Sequence, residues 1–216
     1  MRNTDETGPL KGCLALMLKY PKPGQVKTRL ARDIGIYKAA LLYRCFVETM
    51  IATCVDSGSP VLLFCHSGHE LGKYRQWLGH EHNFFSQSPG GHLGNKMRSI
   101  FEQAFTMGYE KVVLTGTDLP HIPVTFLRQA IRGLERHEAV IGPARDGGYY
   151  LIGFRRESFV PLIFKDMPWS TSSVLDLTLK LLKSLSVDPY VLPTLRDVDD
   201  IEDLKEIFGS DFATLM

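Results

Sequence analysis

The sequence predicts an α/β sandwich of three layers around a mixed, mostly parallel sheet. Two observations support this prediction. Short apolar runs alternate with longer segments of helical apolar spacing, and an Asp-Gly-Gly turn at 146–148 separates two further apolar runs. Strands that alternate with helices are typical of parallel sheets covered by helices, whereas an Asp-Gly turn favours an antiparallel pair.

Composition indicates a soluble protein with one domain, residues 1–216. The hydrophobic content of 44% and charged content of 23% are ordinary, and the net charge of +1 favours neither nucleic acid nor an anionic membrane. No apolar run approaches the roughly 18 residues of a membrane span, and the polar first residues lack a signal-peptide core. We therefore expect a cytoplasmic protein that binds no nucleic acid, with a flexible segment at 1–11. The oligomeric state stays open.

The first half of the chain predicts four strands, each a short run that ends in turn or polar residues: "CLALMLKY", "PVLLFCH", a stretch near 83–87, and "KVVLTGTD". The segments between them have helical apolar spacing: "YKAALLYRCFVETMIATCVDS", residues 70–78, and "LGNKMRSIFEQAFTMG". These elements alternate along the chain, as a parallel sheet requires.

The second half adds "PVTFLRQAIRGLERH", a helix with Pro123 suited to its first turn. The runs "EAVIGPA" and "GYYLIGF" are predicted strands on either side of the Asp-Gly-Gly turn. The tail predicts a helix at 173–184, a strand at "PYVLP", and a closing helix "IEDLKEIF" with Asp200 as its N-cap. In such sheets ligands bind beyond the carboxyl ends of the strands, so the residues that follow the strands are the site candidates.

The loop after the first strand, "KYPKPGQVKTRLA", suggests phosphate binding but matches neither common phosphate loop. Val26 stands where a P-loop needs glycine, and no GxGxxG is present. Gly24 allows a turn, while Lys27 and Arg29 fall near a helix start, where cations oppose the helix dipole. That unfavourable placement indicates an anionic ligand such as a phosphate or pyrophosphate. We expect both side chains to be exposed and to act on phosphates, not on the fold.

Three further strand ends carry candidate ligands. Asp118 comes about four residues before the predicted helix start, beyond normal capping reach, so a role as ligand to Mg²⁺ or Mn²⁺ is favoured over an Asx-turn. Gln87, with Gly91 behind it, could read a base edge, or this stretch could be an ordinary loop. Asp199 is open as a second metal ligand beside the helix cap.

The turn region offers a candidate pocket for an acceptor or a sugar. Gly147, Gly148 and Tyr149 would suit such a pocket, although a simple hairpin explains the same residues. Trp169 is either a core residue or a stacking platform. Asp146 is the candidate general base.

Five segments in order, "PKPGQVKTRLA", "LTGTDLPHI", "GPARDGGYYLIGF", "PWSTSSV" and "DVDDIEDL", resemble a bacterial glycosyltransferase family. That family lies in the nucleotide-diphospho-sugar transferase (GT-A) superfamily, with the phospholactate and molybdopterin guanylyltransferases. The resemblance runs from about Cys13 to Phe208. It implies a Rossmann-like GT-A fold, a nucleotide in the first half, and a divalent metal on Asp118 with Asp199 at the second ligand position. The sequence departs from the pattern of these relatives at two places. Thr-Asp at 117–118 supplies one carboxylate where glycosyltransferases of the superfamily usually have Asp-X-Asp, and Asp-Ile stands at 200–201 where relatives often have Thr-Pro.

The resemblance also implies roles for single residues. Lys27 or Arg29 matches a basic residue that contacts phosphates in related nucleotidyltransferases, and Gln87 with the following glycines resembles their base-contacting loop. We therefore predict a metal-dependent glycosyltransferase with a nucleotide-diphospho-sugar donor and an unknown acceptor. Its candidate catalytic residues are Lys27, Arg29, Asp118 and Asp146. The candidate nucleotide-binding residues are Gly24, Lys27, Arg29, Gln87, Gly91 and Asp118.

Two alternatives stay open at this point. A nucleotidyltransferase would attack the α-phosphorus of a triphosphate and release pyrophosphate, whereas a glycosyltransferase releases a nucleoside diphosphate. A non-catalytic nucleotide-binding module would keep the binding residues and show no turnover. The sequence leaves open the base, the sugar, the acceptor and the stereochemistry.

Overall fold

A computed structural model describes residues 10–66 and 70–209, which fold around one seven-stranded sheet. The strands are β1 (Leu10–Leu18), β2 (Val61–Cys65), β3 (Asn83–Ser86), β4 (Tyr109–Thr115), β5 (Ala139–Pro143), β6 (Tyr149–Arg155) and β7 (Pro189–Val191). The helices are α1 (Ala31–Ile34), α2 (Ile36–Asp56), α3 (Leu71–Leu78), α4 (Leu93–Thr106), α5 (Val124–Gly133), α6 (Val174–Ser184) and α7 (Ile201–Phe208). Of the segment 1–11, expected to be flexible, residues 1–9 lie outside the described residues, and β1 begins at Leu10.

The strand order is β3-β2-β1-β4-β6-β5-β7. Strand β1 pairs in parallel with β2 and β4, β2 with β3, and β5 with β7. Strand β6 runs antiparallel to both of its neighbours, β4 and β5. The predicted mixed, mostly parallel sheet is confirmed, as is the antiparallel strand at the Asp-Gly-Gly turn.

Strand β1 is buried on both faces, and its alternating side chains belong to two separate cores. Leu14, Leu16 and Leu18 pack with α2, α3 and α5 on one face. Cys13 and Ala15 pack with α4 and α6 on the other face. Because successive strand residues point to opposite faces, a continuous apolar run such as β1 fits a central strand with helices on both sides. The result is the predicted three-layer arrangement.

A smaller apolar cluster fastens the end of the chain to the loop after β1. Its buried members are Leu30, Leu42, Phe46, Val198 and Leu204. They come from the start of α1, from α2, from the segment before α7 and from α7 itself. This cluster brings the tail of the chain next to the carboxyl end of β1, where the candidate site lies.

The longest helix, α2, has 21 residues, and nine of them are buried. Its remaining surface is half-buried or exposed, as expected for a helix that covers one face of a sheet. Within residues 10–66 and 70–209, no helix is both long and apolar enough to cross a membrane.

Gly94, the second residue of α4, allows two other segments to approach that helix closely. A methyl group at this position would overlap the backbone carbonyl of Phe164 and lie 2.8 Å from Trp169 Nε1. Gly94 therefore makes room for a tryptophan of the protein itself.

Replacement of Gly94 by alanine should lower the free energy of unfolding, because the clash outweighs the better helix propensity of alanine. Gly72 provides a matched control, because it is also the second residue of its helix, α3. In the described part of the chain, no atom outside the adjoining backbone lies within 4 Å of a methyl group there. Gly72→Ala should therefore stabilise the protein, by about 0.5–1 kcal/mol. Urea denaturation of both variants measures the two effects. Equal effects of the two substitutions would contradict the close approach.

Candidate active site

One cavity of about 760 Å³ lies beyond the carboxyl ends of strands β1 and β4. This volume is typical of a pocket for a small-molecule substrate or cofactor. The residues predicted from sequence that line it are Lys27, Arg29, Gln87, Asp118, Asp146, Tyr149, Trp169 and Asp199. Gly24, Gly91, Gly147 and Gly148 were predicted as site residues but are not among the lining residues. The structure thus brings the candidate side chains together and places the candidate glycines in the turns around them.

The central contact of the cavity is made by the ammonium group of Lys27. It forms an ion pair with Asp118, lies 3.5 Å from Asp199 Oδ1, and donates a hydrogen bond to the carbonyl of Val198. The expectation of an exposed side chain is wrong for Lys27, which is 5% exposed, whereas Arg29 is 67% exposed. The positive charge that the sequence assigned to a phosphate is therefore matched by two carboxylates of the protein.

The loop holds Lys27 between two buried apolar anchors. Val26 packs in the core that also contains Leu14, Leu16 and Leu18 of β1. Leu30 packs in the smaller cluster that holds the tail of the chain. Between them, Lys27 has a φ of 45°, in the left-handed region that a residue other than glycine rarely adopts. Its ammonium lies 5.8 Å from the ring centre of Phe46, a favourable distance for a cation and an aromatic face. Val26, which excludes a P-loop, is the residue that anchors this loop.

Asp118 is fixed by backbone contacts at the end of β4. The N–H of Val198 donates to the Asp118 carbonyl at 3.0 Å, which ties the tail to this strand end. The preceding residue, Thr117, bonds the hydroxyl of Tyr43 at 3.1 Å, and that hydroxyl also accepts the N–H of Lys19 at 2.9 Å. Burial raises the pKa of the Tyr43 hydroxyl, and the negative charge of Asp118 raises it further. Tyr43 thus joins the ends of β1 and β4 as a neutral phenol.

Asp203, in the first turn of α7, holds the backbone of Asp199 in place. The Asp203 carboxylate accepts the N–H groups of Asp199 and Asp200 at 2.9 and 3.0 Å and pairs with Arg196. Burial acts to raise the pKa of Asp203, but the Asp199 N–H, Arg196 and the Asp200 N–H together hold it below its usual value. Asp200 caps the helix as predicted, within a capping box. On the cavity side, Arg29 Nη1 lies 3.4 Å from Asp199 Oδ2.

Asp197 is a cavity residue to which the sequence analysis assigned no role. Burial raises its pKa to about 6, and the charges of Asp199, Asp146 and Asp118 add to the effect. The signal was present in the sequence "DVD": residues two apart share a side of an extended backbone, and Val198 between them is fully buried. Both carboxylates therefore lie on the side away from the core.

The donor chemistry of Asp118 and Asp199 fits a hard divalent cation. Mg²⁺ is usually held by one or two carboxylates together with water and substrate phosphates. Both carboxylates are partly exposed to the cavity, and one ammonium already lies near both of them. Among the described residues no three side chains of His, Cys, Asp or Glu are grouped to hold a metal ion. The two carboxylates would therefore leave coordination positions for water and for the oxygens of a substrate.

Gln87 is buried at the end of β3, with its amide nitrogen directed to the backbone. The nitrogen donates to the carbonyl of Phe64 at 2.8 Å and to that of Leu18 at 3.4 Å. Both partners can only accept, so the amide nitrogen makes these two bonds, and the Gln87 side chain also interacts with His66. Gln87 lines the cavity and ties three strand ends together, and its contact with a base remains a prediction.

Tyr149 and Trp169 form an aromatic wall of the cavity. Their rings meet edge to face with centres 6.3 Å apart. The Tyr149 hydroxyl, which interacts with the side chain of Thr178, and the Trp169 indole nitrogen are both buried. The atoms that a ligand could contact are therefore mainly ring carbons, so this wall offers a flat apolar surface.

The Asp-Gly-Gly turn carries Asp146 at the rim of the cavity. Asp146 is exposed, and its Oδ1 accepts the N–H of Gly148 at 2.8 Å. Gly147 has a φ of 88°, and a methyl group there would overlap the backbone of Ser172. The two glycines thus shape the turn and the contact with the segment before α6.

Comparison with known proteins adds the family to this geometry. The model of the family described as "Uncharacterized protein conserved in bacteria (DUF2064)" matches residues 50–171. The chain belongs to this family. No curated protein matches the chain.

Solved structures share the fold of this DUF2064 protein. A protein from Desulfovibrio desulfuricans G20, named as a nucleotide-diphospho-sugar transferase, is 37% identical with a TM-score of 0.89, over 93% of this chain and 87% of that one. A nucleotidyl transferase from Methanothermobacter is 14% identical with a TM-score of 0.59, over 94% and 99% of the two chains. Rv0371c of Mycobacterium tuberculosis H37Rv, in complex with manganese, is 15% identical with a TM-score of 0.53, over 94% and 100%. The two distant structures show the shared fold, as the resemblance implied.

Asp203→Asn should destabilise the DUF2064 protein by about 1.5–3 kcal/mol, because a buried carboxylate that accepts several charge-assisted or backbone bonds is lost. The matched control is Asp176→Asn, which removes an exposed carboxylate paired with Lys180. The control should cost less than about 0.5 kcal/mol. Guanidinium denaturation measures both, and similar small losses would mean that Asp203 does not hold the Asp199 segment.

Proposed function

We propose that this DUF2064 protein is a metal-dependent glycosyltransferase that uses a nucleotide-diphospho-sugar donor. The observation that carries the proposal is the composition of the cavity. One pocket combines basic side chains and carboxylates, suited to a diphosphate with a divalent cation, with an aromatic wall suited to the apolar face of a sugar. The 37% identical protein from Desulfovibrio desulfuricans, with its name as a nucleotide-diphospho-sugar transferase, supports the same reading.

The basic side chains of the cavity include three that lie apart from the carboxylates. Lys19, His66 and Lys96 line the pocket, and neither lysine has a carboxylate within 4.0 Å among the described residues. Burial, and then the charges of Lys96 and Lys19, lower the pKa of His66, which indicates that the three groups lie close together. With Arg29, they would bind the phosphates and the adjoining part of the nucleotide.

Asp118 and Asp199 would hold Mg²⁺ or Mn²⁺, as the donor chemistry of the two carboxylates allows. The manganese complex of Rv0371c, a protein of the same fold, agrees with this choice of cation. When bound, the cation would supply positive charge to the diphosphate. The side chains of the protein that share this task are Arg29 and Lys19, which reach the same cavity.

The proposed reaction breaks the bond between the anomeric carbon of the sugar and an oxygen of the diphosphate. The nucleoside diphosphate leaves with the electron pair, and its new negative charge is stabilised by the basic side chains of the cavity. An acceptor hydroxyl forms the new bond and gives its proton to a carboxylate. Asp146, exposed at the rim and fixed by the Gly148 N–H, is the candidate for this general base. Tyr149 and Trp169 would orient the sugar through their ring faces.

Nucleotidyl transfer is the second candidate. The cluster of basic side chains and the shared fold with a nucleotidyl transferase from Methanothermobacter favour it. A triphosphate carries more charge than a diphosphate, however, and among the described residues the cavity lining has as many carboxylates as lysine and arginine side chains. Fewer cations are therefore free for three phosphates, which favours the glycosyltransferase. A module without catalysis would bind nucleotides but release no product.

Asp118→Asn should remove most of the metal dependence of nucleotide binding and leave the fold intact, because the two side chains have nearly the same shape. Calorimetric titration with nucleoside diphosphates and nucleotide-sugars, with and without Mn²⁺, measures this effect. Asp176→Asn, which is not among the lining residues of the cavity, is the control and should behave as the wild type. An unchanged metal effect in Asp118→Asn would exclude Asp118 as a ligand.

Product analysis distinguishes the two reactions. The enzyme with Mn²⁺ is incubated with a panel of nucleotide-sugars, and separately with triphosphates plus phosphorylated acceptors. We expect slow release of a nucleoside diphosphate from at least one nucleotide-sugar, because water can replace a missing acceptor. Pyrophosphate release from a triphosphate, with every nucleotide-sugar intact, would establish nucleotidyl transfer instead. Binding without either product would support the non-catalytic module.

A further inference from the structure

The ammonium of Lys27 lies between the two carboxylates that are candidates for metal binding. It forms an ion pair with Asp118 Oδ1 and lies 3.5 Å from Asp199 Oδ1. This inference rests on the proposed function, in which Asp118 and Asp199 hold a divalent cation. We propose that Lys27 competes with that cation: its ammonium binds the two carboxylates in the free protein and leaves them when the cation binds.

The competition follows from charge and space. A single ammonium near two carboxylates offsets much of their repulsion. A divalent cation on the same oxygens would add two positive charges close to the ammonium, and the Lys27 side chain is 5% exposed, so water screens this repulsion poorly. The ammonium and the cation therefore cannot both occupy the space between Asp118 and Asp199.

Lys27 has the means to move. Its ammonium is a point charge on a flexible four-carbon chain, so it can exchange partners without a backbone change. Its other contacts, the hydrogen bond to the carbonyl of Val198 and the approach to the ring of Phe46, involve no full negative charge. A substrate phosphate in the cavity would provide a new anionic partner for the displaced ammonium.

Binding of the cation and of phosphate should consequently be coupled. The cation alone has to break the contacts of Lys27, whereas the cation with a phosphate allows Lys27 to exchange one anion for another. Coupling of this kind is reciprocal, so each ligand strengthens the binding of the other. The free protein would then bind Mn²⁺ weakly, and the site would assemble only with its substrate.

The test is a titration of the substrate-free protein with Mn²⁺ alone. Calorimetry and the EPR signal of free Mn²⁺ each measure the binding. Four proteins are compared: wild type, Asp118→Asn, Lys27→Met, and the double variant with both substitutions. Lys27→Met should bind Mn²⁺ about tenfold or more tightly than wild type, because no charge-assisted contact has to be broken first. The double variant should lose this gain. Thermal melting shows which variants are folded.

A second measurement uses the wild-type protein alone and so does not depend on the folding of a variant. Reductive methylation of lysines with formaldehyde and cyanoborohydride, read by mass spectrometry, reports the access of Lys27. Lys27 should be protected in the metal-free protein and should react faster when Mn²⁺ alone saturates the site. Unchanged protection of Lys27 at saturating Mn²⁺ would overturn the competition.

The outcomes separate this inference from the proposed function. One outcome is that Asp118→Asn binds Mn²⁺ more weakly than the wild type, while a folded Lys27→Met binds it no more tightly than the wild type. In that case the metal site stands and the competition is wrong. If neither wild type nor Lys27→Met binds Mn²⁺, the competition is also wrong. In that case the release of nucleoside diphosphate from nucleotide-sugars still decides the proposed reaction.

Discussion

The candidate site depends on the contact of Lys27 with Asp118, Asp199 and the Val198 carbonyl. It joins the loop after β1, the end of β4 and the segment before α7, and the lysine is 171 residues away from its carbonyl partner. Each part of the contact is costly in isolation: the ammonium is buried, and the Lys27 backbone is in the left-handed region. The apolar anchors around it, among them Val26, Leu30 and Val198, supply the stabilisation that holds the loop in place.

A buried ion pair is weak evidence for a purely structural role. Apolar side chains of similar volume would hold three segments together at least as well, without the desolvation of charge. In this protein the two carboxylates are also 47% and 40% exposed to the cavity, so they are accessible to a ligand on the side away from Lys27. A fold that tolerates strain and buried charge at one place, in the lining of a cavity, fits a site built for binding.

The elements of the fold could be predicted from sequence because their signals are local. The apolar run of β1, the spacing in α2 and the cap at Asp200 each depend on neighbouring residues, and the structure confirms all three. The partner of Lys27 could not be predicted, because only the topology of the sheet and the tail cluster brings Asp118 and Asp199 next to it. The same limit explains Gly94, whose neighbour Trp169 is 75 positions away in the chain. Asp197 is an intermediate case, since the alternation in "DVD" was visible but the burial of Val198 was not.

The fold alone does not decide the reaction, so the charges that line the cavity have to be considered. The shared fold extends to proteins of 14–15% identity with other names, so the distinction has to come from the side chains of the site. Among the described residues, the lining contains four carboxylates, Asp118, Asp146, Asp197 and Asp199, and four lysine or arginine side chains, Lys19, Lys27, Arg29 and Lys96. Such a cavity is nearly neutral as a whole, so a strongly charged ligand needs a cation of its own. A diphosphate with one divalent cation comes close to neutrality and adds little net charge, whereas a triphosphate with a phosphorylated acceptor leaves an excess of negative charge. The balance of charges therefore supports the proposed diphosphate donor and, with the aromatic wall beside it, a donor sugar that carries no charge.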